Sequence, residues 1–167
     1  MIDAGDLPIF QTILAHESAH VTLLAGAITT GGGTPVPRPT FDFTAGGTFS
    51  DPFSDYTTFK ALAQGFEDTG VRAYKGQAGA LMSNNAILTT ALQIHSVEAR
   101  HATAVRRLRG EKGWITGNQN TLPPAAAAVY AGEEAGAGVT TPASAEAFDE
   151  PLTKEQVLAI ANLFIVP

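Results

Sequence analysis

Apolar residues recur at helical spacing in three long stretches of this chain, and each stretch is closed by glycine, proline or a polar turn. Phe10, Ile13, Leu14, Val21 and Leu24 form a stripe that predicts a first helix over about 7–27, with Asp6 as its N-cap and Pro8 in the first turn, where a missing N–H costs nothing. A second helix is predicted over about 54–82, its buried face marked by Phe59, Ala63, Phe66, Gly70, Tyr74, Ala78 and Leu81. Ser83-Asn84-Asn85 supplies a turn and a cap, and a third helix follows over about 86–109 with Leu88, Leu92, His95, Ala99, Ala102 and Val105 inward. The short turn makes helices two and three an antiparallel pair. Gly65, Gly70, Gly76 and Gly79 each lower helix propensity by about 1 kcal/mol relative to Ala, which fits a close approach of neighbouring helices.

The connections differ in kind. Gly31-Gly32-Gly33 stops the first helix, Pro35, Pro37 and Pro39 forbid another, and Thr40 to Thr44 alternates weakly as an extended piece would. A connection this long reads as a crossover, as in bundles whose first two helices run in the same direction. Beyond Gly110 the chain turns to Pro, Gly and Ala, with Trp114, Pro123, Pro124 and an alanine run over 125–128, and is expected to wrap the bundle as extended coil. A last short helix starts at Thr153, where Thr-x-x-Gln to Gln156 fits a capping box, and carries Val157, Leu158, Ile160, Ala161, Phe164 and Ile165. The expected fold is thus an all-α helical bundle with a long crossover. Residues 1–110 form its core, and 111–167 form an extension with a short helix near 153–165.

Twice a glutamate is followed three residues later by a histidine, at Glu17/His20 and Glu98/His101, and Glu67 lies on the helix between. That spacing puts carboxylate and imidazole one turn apart on the same helix face. Four-helix bundles that hold two metal ions draw one Glu from each of two helices and a Glu-x-x-His from each of the other two, six groups in all. Glu17, His20, Glu67, Glu98 and His101 are five of them; a Glu from a further helix is the sixth, and it is absent here. The segments after Glu17 and Glu98 share Glu-x-x-His-x-Thr, an internal echo that fits duplication of a helix pair.

The same letters support two other readings. His16-Glu17-Ser18-Ala19-His20 spells the H-E-x-x-H of zinc metalloproteases, in which Glu17 is a general base kept off the metal. Only fifteen residues precede His16, no G-x-x-H follows His20, and Glu98/His101 has no part in that scheme. In a metal-free alternative, the three glutamates pair with His20, His101 and Arg72 in a polar core, since buried carboxylates must be paired, protonated or metal-bound. His16 and His95 are expected as supporting or surface histidines, Tyr74 as core packing within reach of a ligand, and Asp68 as outward and solvated.

Composition narrows the partners. With 44% hydrophobic and 16% charged residues over 167 positions, the chain is a single globular unit rather than a disordered one. A net charge of −6 and no long basic stripe argue against nucleic acid. Arg100, Arg106, Arg107, Arg109 and Lys112 cluster at the end of the third helix, where cations complement the helix dipole. The absence of cysteine excludes disulfides and thiolate metal sites. No run of about 18 apolar residues predicts a transmembrane helix, and Met1 to Asp6 lacks the pattern of a signal peptide.

Four segments carry a resemblance: Ile13-Leu-Ala-His-Glu-Ser-Ala-His20, Phe66-Glu-Asp-Thr-Gly-Val-Arg-Ala-Tyr74, Ile94-His-Ser-Val-Glu-Ala-Arg-His101 and Phe148-Asp-Glu-Pro-Leu-Thr-Lys-Glu-Gln-Val157. Together they resemble the ferritin-like family that includes desiccation-related and other stress-associated proteins. The resemblance implies a four-helix bundle with a di-iron or di-manganese centre, Glu17 and Glu98 bridging the two ions, His20 and His101 as terminal ligands and Glu67 as a terminal carboxylate. It also implies metal oxidation or peroxide chemistry, and an exported location, periplasmic or extracellular. Family members begin with a further Glu-bearing helix, so this chain is expected to be a fragment, a processed form or a shortened product. Three long helices without that helix expose an apolar face, which predicts a homo-oligomer or a complementing N-terminal helix. A metal-free protective bundle is the alternative function.

Overall fold

The computed structural model describes residues 2–118, 121–141 and 143–167. Helix α1 spans Leu7–Thr30, α2 Tyr56–Gln77 and α3 Asn85–Leu108, with α2 tightening into a 3-10 turn over Ala78–Leu81 before the α2–α3 connection. Their ends follow from local chemistry. Asp55 caps α2 by accepting the Thr57 and Thr58 N–H groups, and Asn84 caps α3 by accepting that of Ile87. Both α1 and α3 close on a left-handed glycine: Gly32 N–H reaches the Thr29 carbonyl and Gly33 that of Ile28, and Gly110 and Glu111 repeat the pattern on Arg107 and Arg106. Asp6 precedes α1 without capping it; its carboxylate accepts the Tyr56 hydroxyl at 2.6 Å instead.

The extension after Gly110 is more ordered than an extended coil. It forms 3-10 turns at Pro124–Tyr130 and Glu133–Gly138, a single helical turn α4 at Ser144–Ala147 and helix α5 at Lys154–Ala161, with the Thr153/Gln156 capping box in place. The alternating stretch near Thr40 makes one bridge, Phe41 to Ile165, and that is the extent of β-pairing among the described residues. No described helix is long and apolar enough to cross a membrane.

The core corrects the expected face of α2. The buried apolar cluster joins Ala61 and Leu62 of α2 to Phe49, Ile115, Leu122, Val129, Tyr130, Leu152, Ile160 and Phe164. It therefore lies between α2 and the extension, whereas Phe66, placed inward by periodicity, is 37% exposed, as is much of Leu92 on α3. The glycines serve this packing: a Cβ on Gly65 would touch Leu122 and Val129, one on Gly70 would touch Glu98 of α3, and one on Gly76 would overlap the Leu152 carbonyl.

A buried polar network fastens the same interface. Asp68, expected to be solvated, is 1% exposed and accepts from Arg106 Nη2 and the Tyr130 hydroxyl. Gln64 donates to Tyr130 at 2.8 Å and accepts from Arg109. Arg72 does not pair with the three glutamates; its Nε lies 2.6 Å from Glu133 Oε1, and its other nitrogens donate to the carbonyls of Val129 and Ala131. Two residues of the basic cluster, Arg106 and Arg109, are thus network members rather than dipole partners alone.

Helix α1 is attached differently. Of its 24 residues Phe10 alone is buried, its ring edge-on to Phe59 at 4.8 Å, and the helix packs chiefly on α3. Leu14, Val21, Leu24 and Ile28 remain largely exposed. Between α1 and α2 runs an apolar groove, an open cleft of about 710 Å³ from Leu7 to Glu17 of α1 along Phe59 to Gly70 of α2, and a second of about 470 Å³ between Leu23 to Ala27 and Ala73 to Leu81. Rising numbers on both walls show that α1 and α2 run the same way, as a crossover connection requires.

Candidate metal centre

All five residues singled out by spacing meet where α1 crosses the α2/α3 pair. On α3, Glu98 and His101 are 4% and 5% exposed; Glu67 of α2 and Glu17 and His20 of α1 are half-buried around them. Ligand atoms of Glu17, Glu67, Glu98 and His101 lie within 4.8 Å of one another. His101 Nδ1 is 3.0 Å from Glu17 Oε1, 3.3 Å from Glu67 Oε2 and 3.5 Å from Glu98 Oε2. His20 Nδ1 faces Glu17 Oε1 at 3.3 Å and Glu98 Oε1 at 3.4 Å. Glu98 thus divides its two oxygens between the two imidazoles.

These distances are short, yet hydrogen bonds do not satisfy the cluster. One proton on His101 Nδ1 can serve one carboxylate, not three. Glu17 Oε1 and His20 Nδ1 are buried atoms with no hydrogen-bond partner, because the approach of the imidazoles to that oxygen lacks the alignment a hydrogen bond needs. Orphaned acceptors converging on one small volume are what a cation would satisfy, so the residues present fit a metal site. The donor set of carboxylate oxygen and imidazole nitrogen suits iron or manganese and offers no soft ligand.

The electrostatics agree. Burial pushes the Glu67 carboxyl up to about 7, against the pull of His101 and with the repulsion of Glu17 and Glu98. Burial alone would lower the His101 pKa, but the carboxylates of Glu17, Glu67 and Glu98 gathered around Nδ1 raise it to about 11. Burial also raises Glu17, yet His101 and His20 bring it below its ordinary value. At pH 7 His101 is therefore protonated and Glu67 partly so. Metal uptake must expel these protons, so binding at pH 7 should release at least one proton, and affinity should rise as the pH is raised above 7. Calorimetric titration with Mn(II) in two buffers of different ionisation heat measures that number directly; a release near zero would mean the ion does not use His101.

The neighbouring residues sort by contact. His16 Nδ1 lies 2.9 Å from His101 Nε2, whereas His95 pairs with the Val71 carbonyl. Tyr74 is half-buried beside the second cleft, and burial together with the charges of Glu98 and Glu17 raises its hydroxyl to about 12. Spacing alone had not given His16 a contact, although its position four residues before His20 on the same face of α1 was a visible signal.

Long helices joined by a crossover and a short turn, with Glu-x-x-His pairs converging from two of them, define a helical bundle with a carboxylate-and-histidine cluster between its helices. Residues 1–111 match the ferritin-like domain, and the chain belongs to that family. No curated protein and no solved structure matches the chain.

Proposed function

We propose that this protein binds two iron or manganese ions at Glu17, His20, Glu67, Glu98 and His101. The observation that carries the reading is Glu98, whose Oε1 faces His20 and whose Oε2 faces His101. A carboxylate so placed can bridge two ions, one beside each imidazole. Glu67, which approaches His101, would complete the His101 side, and the carboxylates of Glu17, Glu67 and Glu98 line the groove. Ions held this way supply redox chemistry toward O₂ or peroxide when bound. Glu17, His20, Glu67, Glu98 and His101 would hold the ions beside the apolar cleft that Glu17, Glu67 and Glu98 help to line. Residues 1–110 would be the metal-bearing core and 111–167 the segment that clasps α2.

The resemblance to stress-associated ferritin-like proteins supports a protective role and export from the cytoplasm. The zinc-protease alternative loses support because Glu17 faces two imidazoles, and because His16 and His20 have different partners. A second reading, a metal-free bundle that associates through its apolar face, rests on the exposed side chains of α1 and on the groove beside it.

Elemental analysis after reconstitution with Mn(II) or Fe(II) tests the proposal, with about two ions per chain expected. Glu98→Gln should weaken Mn(II) binding by roughly a hundredfold, at least the effect that partners one layer further out can have. A reconstituted wild-type chain with no bound metal would leave the metal-free bundle as the function, and a sedimentation measurement would then show whether it self-associates.

A further inference from the structure

We infer that His16 is a positioning residue for this centre: its Nδ1 accepts the Nε2–H of His101, which keeps a proton on Nε2 and leaves Nδ1, the nitrogen that faces the carboxylate cluster, as the one a metal can take. The inference rests on the metal-binding reading above. The two nitrogens are 2.9 Å apart, the ring planes differ by 15° and the ring centres are 5.2 Å apart. Rings stacked face to face would keep all atoms at van der Waals separation, near 3.5 Å. The nitrogens are closer than that, so the nearly coplanar rings meet edge to edge, the geometry of an in-plane N–H···N hydrogen bond.

The chemistry makes this contact consequential. A neutral imidazole carries one proton, and the nitrogen that binds a metal must be the other one. Three carboxylates surround His101 Nδ1 and would draw the proton there, to the nitrogen a metal needs free. A proton on Nε2 requires an acceptor, because His101 is buried. Among the described residues, His16 supplies the polar contact to that nitrogen. His16 is itself exposed on α1, so its own Nε2–H can go to water while Nδ1 accepts. The first histidine of the H-E-x-x-H letters thereby gains a use that involves no zinc: it orients a ligand on α3 from the helix that also carries Glu17 and His20.

The test compares wild type, His16→Leu and His16→Gln, the last retaining a side-chain acceptor. Mn(II) affinity and the ring-nitrogen NMR spectrum of the Zn(II)-loaded protein are measured for each. His16→Leu should weaken Mn(II) binding tenfold or more and lose the hydrogen-bonded, slowly exchanging character of the His101 Nε2–H signal, while His16→Gln should stay within about threefold. Because His16 is exposed, both variants should fold, which circular dichroism checks. Wild-type affinity in His16→Leu would overturn the inference and leave the metal site standing. Equal weakening in both variants with the His101 Nε2–H signal as in wild type would also overturn it, assigning His16 to helix packing. A wild-type chain that takes up neither ion would remove the metal reading and this inference together.

Discussion

Asp68→Ala is expected to cost about 3 kcal/mol of folding stability, because it strands the Arg106 guanidinium inside the protein. Arg106 is 1% exposed, and Asp68 is the carboxylate in direct contact with it; Glu111, at 3.8 Å, is too distant to replace that contact fully. Burial alone would weaken the hold of Arg106 on its proton and Asp68 offsets this; a guanidinium nevertheless does not deprotonate inside proteins, so the charge persists when the partner is deleted. Tyr130 and Gln64 would remain as neutral neighbours, unable to neutralise it. Chemical denaturation measures the loss, and the double variant Asp68→Leu/Arg106→Met should recover most of it, since a well-packed apolar pair can replace a buried ion pair at little cost. A loss below 1 kcal/mol for the single variant would show that water reaches this pair.

Gly76→Ala should cost about 2–3 kcal/mol even though alanine favours helices. The added methyl would overlap the Leu152 carbonyl oxygen, a backbone atom that cannot rotate away. The segment from Asp149 to Leu152 is held to α2 by the Leu152 N–H on the Arg72 carbonyl at 3.1 Å, by Arg72 on the Glu150 carbonyl and by Lys75 on that of Asp149. Moving it aside breaks these bonds and exposes Leu152, which is 1% exposed. Gly79→Ala, with no atom near the new methyl, is the control and should leave the melting temperature unchanged or raise it. A Gly76→Ala protein as stable as wild type would place the extension further from α2.

The parts of this fold that were legible in the sequence are local ones. Helix limits, the Thr153 capping box and the glycine stops depend on residues a few positions apart, and the Glu-x-x-His spacing needs one helical turn to be meaningful. The convergence of Glu17, Glu67 and Glu98 followed because each sat on a helix whose neighbours were predictable. What could not be read was which face of α2 the extension would cover. Gln64, Asp68 and Arg72 recur every four residues, a pattern that also describes a solvated stripe. Their partners, Tyr130 and Glu133, lie about sixty residues away in a segment without helical periodicity. Phe59, Ala63 and Phe66 have the stronger apolar pattern, yet they face the groove, where nothing among the described residues covers them fully.

The slight attachment of α1 gives the metal reading a mechanical meaning. Phe10 pins one end of the helix, and Glu17 and His20 stand midway along it, so ions seated there would rivet α1 to the other two helices. Anything that binds the docked arrangement alone stabilises it, by about 2.7 kcal/mol at a hundred times the dissociation constant. Metal supply would then govern how firmly the first helix is held, and scarcity would loosen that helix before the rest of the protein gave way.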